Sequence, residues 1–286
     1  MEHEMNEELK KTVLTTGDLP PMPMVAAKVI QLVESGKANA EDIARAISSD
    51  PAVSARVLKI SNSAFYGRQR KINTLTEAVV ILGHNTLKGL VVAVSLKEIY
   101  KPGGLTENML WEHSFGAGVA ARTIAARTRQ AGPDEAFMAG LFHDLGKIIM
   151  NFREKEKFRA VMERCYNEML PFEEVEQNVF PYTHAELGAF VLEKWNLPPP
   201  LITAVMLHHK PVLIDEDDVD QRNLAAITAL ADLLCLKLGV GARAPRADLD
   251  IAGSQAALIL GMDEGTLLQL ESMFEETYAQ DKGFFS

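Results

Sequence analysis

The chain is short of cysteine, aromatic residues and positive charge, and each shortage narrows what it can be. Its two cysteines, Cys165 and Cys235, fall in helical patterns without metal-knuckle spacing, so a disulfide scaffold is excluded and a reduced, cytoplasmic protein is expected. Lys and Arg number 29 against 39 Asp and Glu, a formal charge of −10 with a pI near 5.3. That balance argues against general affinity for nucleic acid or anionic membranes. No apolar run reaches the roughly 18 residues that span a bilayer, and the opening MEHEMNEELKK is acidic and polar, unlike a secretory signal. Alternating β-branched runs are scarce and no internal repeat is visible. What is plentiful is the helix former, within a hydrophobic content of 47%. The expected fold class is all-α.

Local signals divide the chain into helices. Asp18 and the prolines of TTGDLPPMPM are expected to start MVAAKVIQLVES, and Asn39 to cap NAEDIARAISS. Asp50 with Pro51 at the first helical position opens SDPAVSARVLKISNSAFYG, which is expected to stop near Gly67. Thr74 and Glu77 form a capping box for LTEAVVIL, Gly83 ends that helix, and Asn85 begins TLKGLVVAVSLKEIY. KPGG at 101–104 then marks the expected boundary between an N-terminal helical part, 16–104, and a second helical part, 105–286. Beyond it, the long helix TENMLWEHSFGAGVAARTIAART carries a small-residue face at Gly116, Ala117, Gly118 and Ala120 that permits close packing. Pro133 and Asp134 start a helix expected to run on through EAFMAGLFHDLGKIIM. Thr183 caps THAELGAFVLEKWN, prolines open PPPLITAVMLHHK, and the acidic loop DEDDVDQ leads into NLAAITALADLLCLKLGV.

The chemistry concentrates in seven histidines. His3 lies in a tail, and His84 at a helix joint where a C-cap role suffices. The other five, His113, His143, His184, His208 and His209, all fall on helices of the second part. Two carboxylates accompany them on apolar stretches, Asp144 in GLFHDLGKI and Asp232 in AITALADLLCL, where an unpaired charge is costly. Packed round one centre, five imidazoles and two carboxylates suit two divalent metals with mixed N/O coordination. A buried His–Asp hydrogen-bond network would use the same residues without metal, and periodicity alone leaves both readings open. Lys147, one turn after His143, could hold a phosphate or an anionic water, or simply pair with Asp144.

The order His113, His143-Asp144, Asp232 resembles the HD phosphohydrolase superfamily, and the added His184 and His208-His209 resemble the fuller ligand set of HD-GYP proteins. LPPMPMVAAKVIQLVES, SDPAVSARVLKISNSAFYG, TLTEAVVILGHNTLKGLVVAVSL and HAELGAFVLEKWNLPPPLITAVMLHHKP are similar to the HDOD family over about residues 16–236. The resemblance implies one metal at His113, His143, Asp144 and Asp232. It implies a second at Asp144, His184, His208 and His209, both divalent, iron or manganese. Asp144 would bridge ions roughly 3.5–4 Å apart, and a water between them would become a nucleophile near neutral pH; in an enzyme, Asp144 and Lys147 would be the catalytic residues.

Two departures temper the enzyme reading. KPVLIDEDDVDQ follows His209 in place of the Gly-Tyr-Pro segment used around cyclic di-GMP, and Met109 stands one turn before His113 where trinuclear HD-GYP sites have Glu. The leading expectation is therefore a bacterial HDOD signalling protein; with no receiver, kinase or cyclase segment seen in the sequence, its regulation is expected to come from elsewhere or from the HDOD fold itself. A metal-dependent phosphohydrolase or phosphodiesterase is the alternative, and a di-iron oxygenase a further one. The signalling partner, or a nucleotide or phosphate ligand, is not named by the sequence. DNA binding through LTEAVVILGHNTLKGLVVAV has helix-turn-helix spacing, but its second helix offers only Lys88 and Lys97 and is apolar over GLVVAVSL, as a buried helix would be. The basic stretch GRQRKI at 67–72 reads as a solvated turn.

Overall fold

The computed structural model describes residues 19–62, 71–100 and 104–285. Among these there are fifteen α-helices, one short 3₁₀ turn and no strand. Asp18, the first three residues of KPGG, the stretch 63–70 with Gly67, and His3 lie outside the described residues.

Five helices come first: α1 Met24–Glu34, α2 Ala40–Ser48, α3 Pro51–Ser61, α4 Leu75–Leu82 and α5 His84–Tyr100. Their starts are written locally. The Asn39 side chain accepts from the Asp42 amide and Asp42 returns the bond. Asp50 accepts from the Ala52 and Val53 amides ahead of Pro51, and Thr74 and Glu77 form a reciprocal capping box. Each cap satisfies amides that no intrahelical carbonyl can reach.

Two details differ from expectation. Helix α3 ends at Ser61 rather than near Gly67, because the Asn62 side chain turns to pair with both the N–H and the C=O of Ile72. His84 is the first residue of α5, not a C-cap; Gly83, at φ 83°, closes α4 on its own. Helix α5 packs against α1, α3 and α4 on one side and against the later helices on the other. Its GLVVAVSL stretch, from Leu90 through Leu96, is accordingly buried.

The remaining elements are α6 Leu105–Thr128, α7 Pro133–Phe142, α8 Leu145–Arg153, α9 Lys155–Glu168 and α10 Phe172–Gln177. They are followed by α11 His184–Lys194, α12 Pro199–Leu207, the 3₁₀ turn Pro211–Leu213, α13 Val219–Leu238, α14 Gln255–Ile259 and α15 Glu264–Phe285. Helix α6 is central, touching α5, α7, α8, α13 and α15. Its small-residue face allows α7 to sit against its backbone: a Cβ on Gly140 would collide with the Ala117 carbonyl. No helix among the described residues is long and apolar enough to cross a membrane. Both cysteines are buried, and burial pushes the Cys165 thiol up to about 11 and that of Cys235 well above the usual range, which leaves neither as a reactive thiolate.

A second close approach sets the site. Gly146, in the first turn of α8, lies against the main chain of His184 at the start of α11, where a Cβ would meet the His184 carbonyl carbon and oxygen. Backbone is involved on both sides, so the collision cannot be relieved by a rotamer change. Gly146→Ala is expected to destabilise the protein by about 3 kcal/mol, the upper end of the overpacking range. Gly265→Ala, exposed in α15 with nothing closer than 3.6 Å, is expected to be neutral or slightly stabilising. Paired thermal melts check the contrast, and equal behaviour of the two variants would contradict the close packing.

Candidate metal centre

The HD pair does not lie within one helix, as the sequence suggested, but at a break. Helix α7 ends at Phe142, Asp144 leaves helical geometry at φ −103° and ψ 13°, and α8 begins at Leu145. Carbonyls in the last turn of a helix lack intrahelical partners. His143 uses one: its Nδ1–H donates to the Gly140 carbonyl at 2.6 Å. The same device recurs at the end of α12, where the Nδ1–H of His208 donates to the Val205 carbonyl at 2.7 Å. A carbonyl can only accept, so Nδ1 carries the proton in both rings and Nε2 is left as a bare lone pair. The Nε2 atoms of both residues are buried and without a hydrogen-bond partner.

His113 and His184 are oriented by the same logic. The Nδ1–H of His113 donates at 3.0 Å to the carbonyl of Val240, in a loop that must come very close to α6. Gly241 makes this approach possible, with φ +65° and no room for a Cβ against the His113 and Met109 backbone. The Nδ1–H of His184 donates at 2.7 Å to Glu176, whose same oxygen accepts the His184 amide at 2.9 Å. Glu176 is fully buried; burial would raise its carboxyl, but the neighbouring His184 holds it below its ordinary value. It is the polar residue that the sequence reading missed. Phe172, Val175, Glu176 and Val179 share one helical face, so a glutamate at a core position was the available signal.

These rings converge on Asp144. Its Oδ2 lies 3.6 Å from Nε2 of His113 and 3.5 Å from Nε2 of His143, while its Oδ1 lies 3.4 Å from Nε2 of His184. Asp232 Oδ1 completes the first side, 2.9 Å from His113 and 3.8 Å from His143. On the second side, Nε2 of His209 approaches Nε2 of His184 to 2.9 Å, and the His208 and His209 rings lie 3.9 Å apart. Two sets of donor atoms result, His113/His143/Asp144 and His184/His208/His209, each with its atoms within 4.8 Å of one another. All seven residues singled out by the sequence are thus brought together.

The electrostatics favour ionised acids and, at His143, His208 and His209, neutral imidazoles. Burial opposes the charge on Asp144 and Asp232, but the surrounding imidazoles, together with Lys147 beside Asp144, hold both carboxyls well below the usual range. Burial keeps His143 and His208 neutral and lowers His209 to about 3. Burial also works against protonated His113, yet its bond to Asp232 outweighs this and raises it. Anionic oxygens and unprotonated Nε2 atoms are what divalent transition metals bind. The buried, unpartnered His143 Nε2, His208 Nε2 and Asp144 Oδ1 fit such ions and no internal partner.

Lys147 takes the second option that the sequence left open. Its Nζ is 2.8 Å from Asp144 Oδ2 and 4.2 Å from the Phe172 ring centre. Burial would lower its ammonium, but the pairing with Asp144 more than compensates. An ammonium has no lone pair to give a metal, so Lys147→Met is expected to leave metal content near wild type. Elemental analysis of the variant checks this, and loss of more than half the metal would make Lys147 the residue that holds Asp144 in place.

An all-α chain that gathers five histidines and two aspartates around one shared carboxylate has the layout of an HD-type helical protein. The HDOD domain model matches residues 19–211, and the chain belongs to the HDOD family. The match ends short of the residue 236 expected from the motifs, and Asp232 lies beyond it. A curated relative from Treponema pallidum, named as an uncharacterized protein, is 27% identical over 193 residues, which make up 67% of this chain and 38% of the relative. The chain therefore spans well under half of that relative's length. Among solved structures, an HDOD domain protein of unknown function from Geobacter sulfurreducens is similar with TM-score 0.75 and 22% identity, over 94% of this chain and 96% of that one. A provisionally named phosphohydrolase from Shewanella amazonensis gives 0.74 at 22% identity, over 97% and 96%. Both likenesses concern the fold.

Proposed function

We propose that the chain is a cytoplasmic HDOD signalling protein built around a dinuclear metal centre. His113, His143, Asp144 and Asp232 would hold one ion, and Asp144, His184, His208 and His209 the other. The observation that carries this reading is the division of labour on Asp144, whose two oxygens face two separate sets of Nε2 atoms. Iron or manganese suits the mixed N/O donors. When bound, such ions supply Lewis acidity toward a phosphate oxygen or a water. The N-terminal helices, about 16–104, would form one helical part and residues 105–286 the metal-binding part.

Signalling is preferred over turnover for a positive reason. Lys147, beside Asp144, is engaged with that carboxylate and the Phe172 ring rather than directed at a substrate. Two cavities, of about 920 and 430 Å³, are lined by none of the seven residues. The test is elemental analysis of protein purified without oxygen. About two equivalents of iron or manganese per chain are expected, by the two-ion reading of the donor set. Protein that takes up no transition metal even on anaerobic reconstitution would end the reading and leave a structural His–Asp network.

A further inference from the structure

The larger of those cavities is a groove lined by residues of α11, α12 and the segment 213–221, none of them a candidate ligand. One wall is α12, which turns Pro199, Ile202, Thr203 and Met206 into it. That i, i+3, i+4, i+7 stripe is what a helix uses to bury itself against a neighbour, yet Ile202, Thr203 and Met206 are only half-buried. The opposite wall is Leu213 and Ile214, and Leu213 is 58% exposed. The rim is of one sign: Glu34, Glu193, Asp215 and Asp218 line the groove, and none of its described lining residues is Lys or Arg. Asp215 and Asp218 belong to the acidic loop DEDDVD, which has no part in the metal centre.

We propose that this groove docks a basic amphipathic helix of a partner protein. The apolar stripe of α12 supplies a seam of helical period, and Met206 supplies an adaptable surface along it. The acidic rim selects Lys and Arg on the flanks of the incoming helix and disfavours an acidic one. A second copy of this chain is a poor match, because two acidic rims would face each other at a net charge of −10 per chain. The inference is independent of metal occupancy.

The probe is a fluorescein-labelled peptide of about 16 residues, long enough to hold a helix, with Leu on one face and Lys and Arg on the flanks. Its anisotropy is titrated with the full chain at physiological salt. Saturable binding is expected, weakened at least tenfold by Glu193→Lys with Asp215→Lys, and also weakened by Met206→Ala. These positions are exposed or half-buried, and a thermal melt verifies that each variant is folded. Glu275→Lys with Glu276→Lys, on the exposed face of α15, changes the net charge equally and is expected to leave binding unchanged. Equal weakening by that control pair would overturn the proposal as mere charge attraction. Equal binding of a scrambled peptide of the same composition, or no binding, would overturn it too. So would a concentration-dependent dimer in sedimentation that Met206→Ala dissolves, since the groove would then belong to a second copy.

Discussion

Asp144→Ala is expected to empty both metal sites and to lower the melting temperature by on the order of 10 °C. Two losses combine. The carboxylate faces Nε2 of His113 and His143 with one oxygen and Nε2 of His184 with the other, so its removal takes a ligand and a counter-charge from both donor sets at once. It also strands the buried Lys147 ammonium, 2.8 Å away. Breaking a buried ion pair by deleting one partner costs about 3–5 kcal/mol, which for a chain of this size corresponds to roughly that shift in melting temperature. The double variant Asp144→Ala/Lys147→Met separates the two effects. It removes the stranded charge, so part of the stability should return, while the metal content should stay near zero. Metal content unchanged in Asp144→Ala would show that the pair serves the fold alone. Melting curves and elemental analysis of wild type, both single variants and the double complete the cycle.

How far the sequence reached follows the range of each interaction. Capping at Asn39, Asp50, Thr74 and Thr183 was legible because donor and acceptor lie within three residues. The small-residue face of α6 was legible because Gly and Ala in such a run have few other purposes. The break between His143 and Asp144 was not, since apolar residues continue on both sides and only the ring's bond to the Gly140 carbonyl marks the end of the helix. The early end of α3 depends on Asn62 meeting Ile72 across a loop, a contact no local pattern encodes. The seven candidate ligands could be named from residue type and family resemblance. Glu176 was missed, because the acidic run with Glu173 and Glu174 masks the core spacing it shares with Phe172 and Val175. The fold separates it from those two glutamates by burying it against His184.

Cyclic di-GMP is expected to be turned over poorly or not at all, even by protein loaded with manganese or iron. Metals alone do not make a phosphodiesterase, because holding the reacting groups in the right geometry can supply roughly 7–11 kcal/mol of a barrier. The Gly-Tyr-Pro segment that performs this task around the dinucleotide in the HD-GYP proteins this chain resembles is replaced by KPVLIDEDDVDQ. Here that stretch forms a 3₁₀ turn at Pro211–Leu213 and a strongly acidic loop, which would repel a dianionic substrate. Lys147, the cation best placed to meet a phosphate, is paired with Asp144. A small activated phosphodiester needs less positioning, so slow cleavage of a chromogenic ester is expected from the metal-loaded protein and should vanish in His143→Ala. Both substrates should be assayed side by side in wild type and variant. Efficient cleavage of the dinucleotide that depends on His143 would make this chain an enzyme and overturn the signalling reading. Slow, His143-dependent cleavage of the activated ester alone would fit a metal centre held within a regulatory fold.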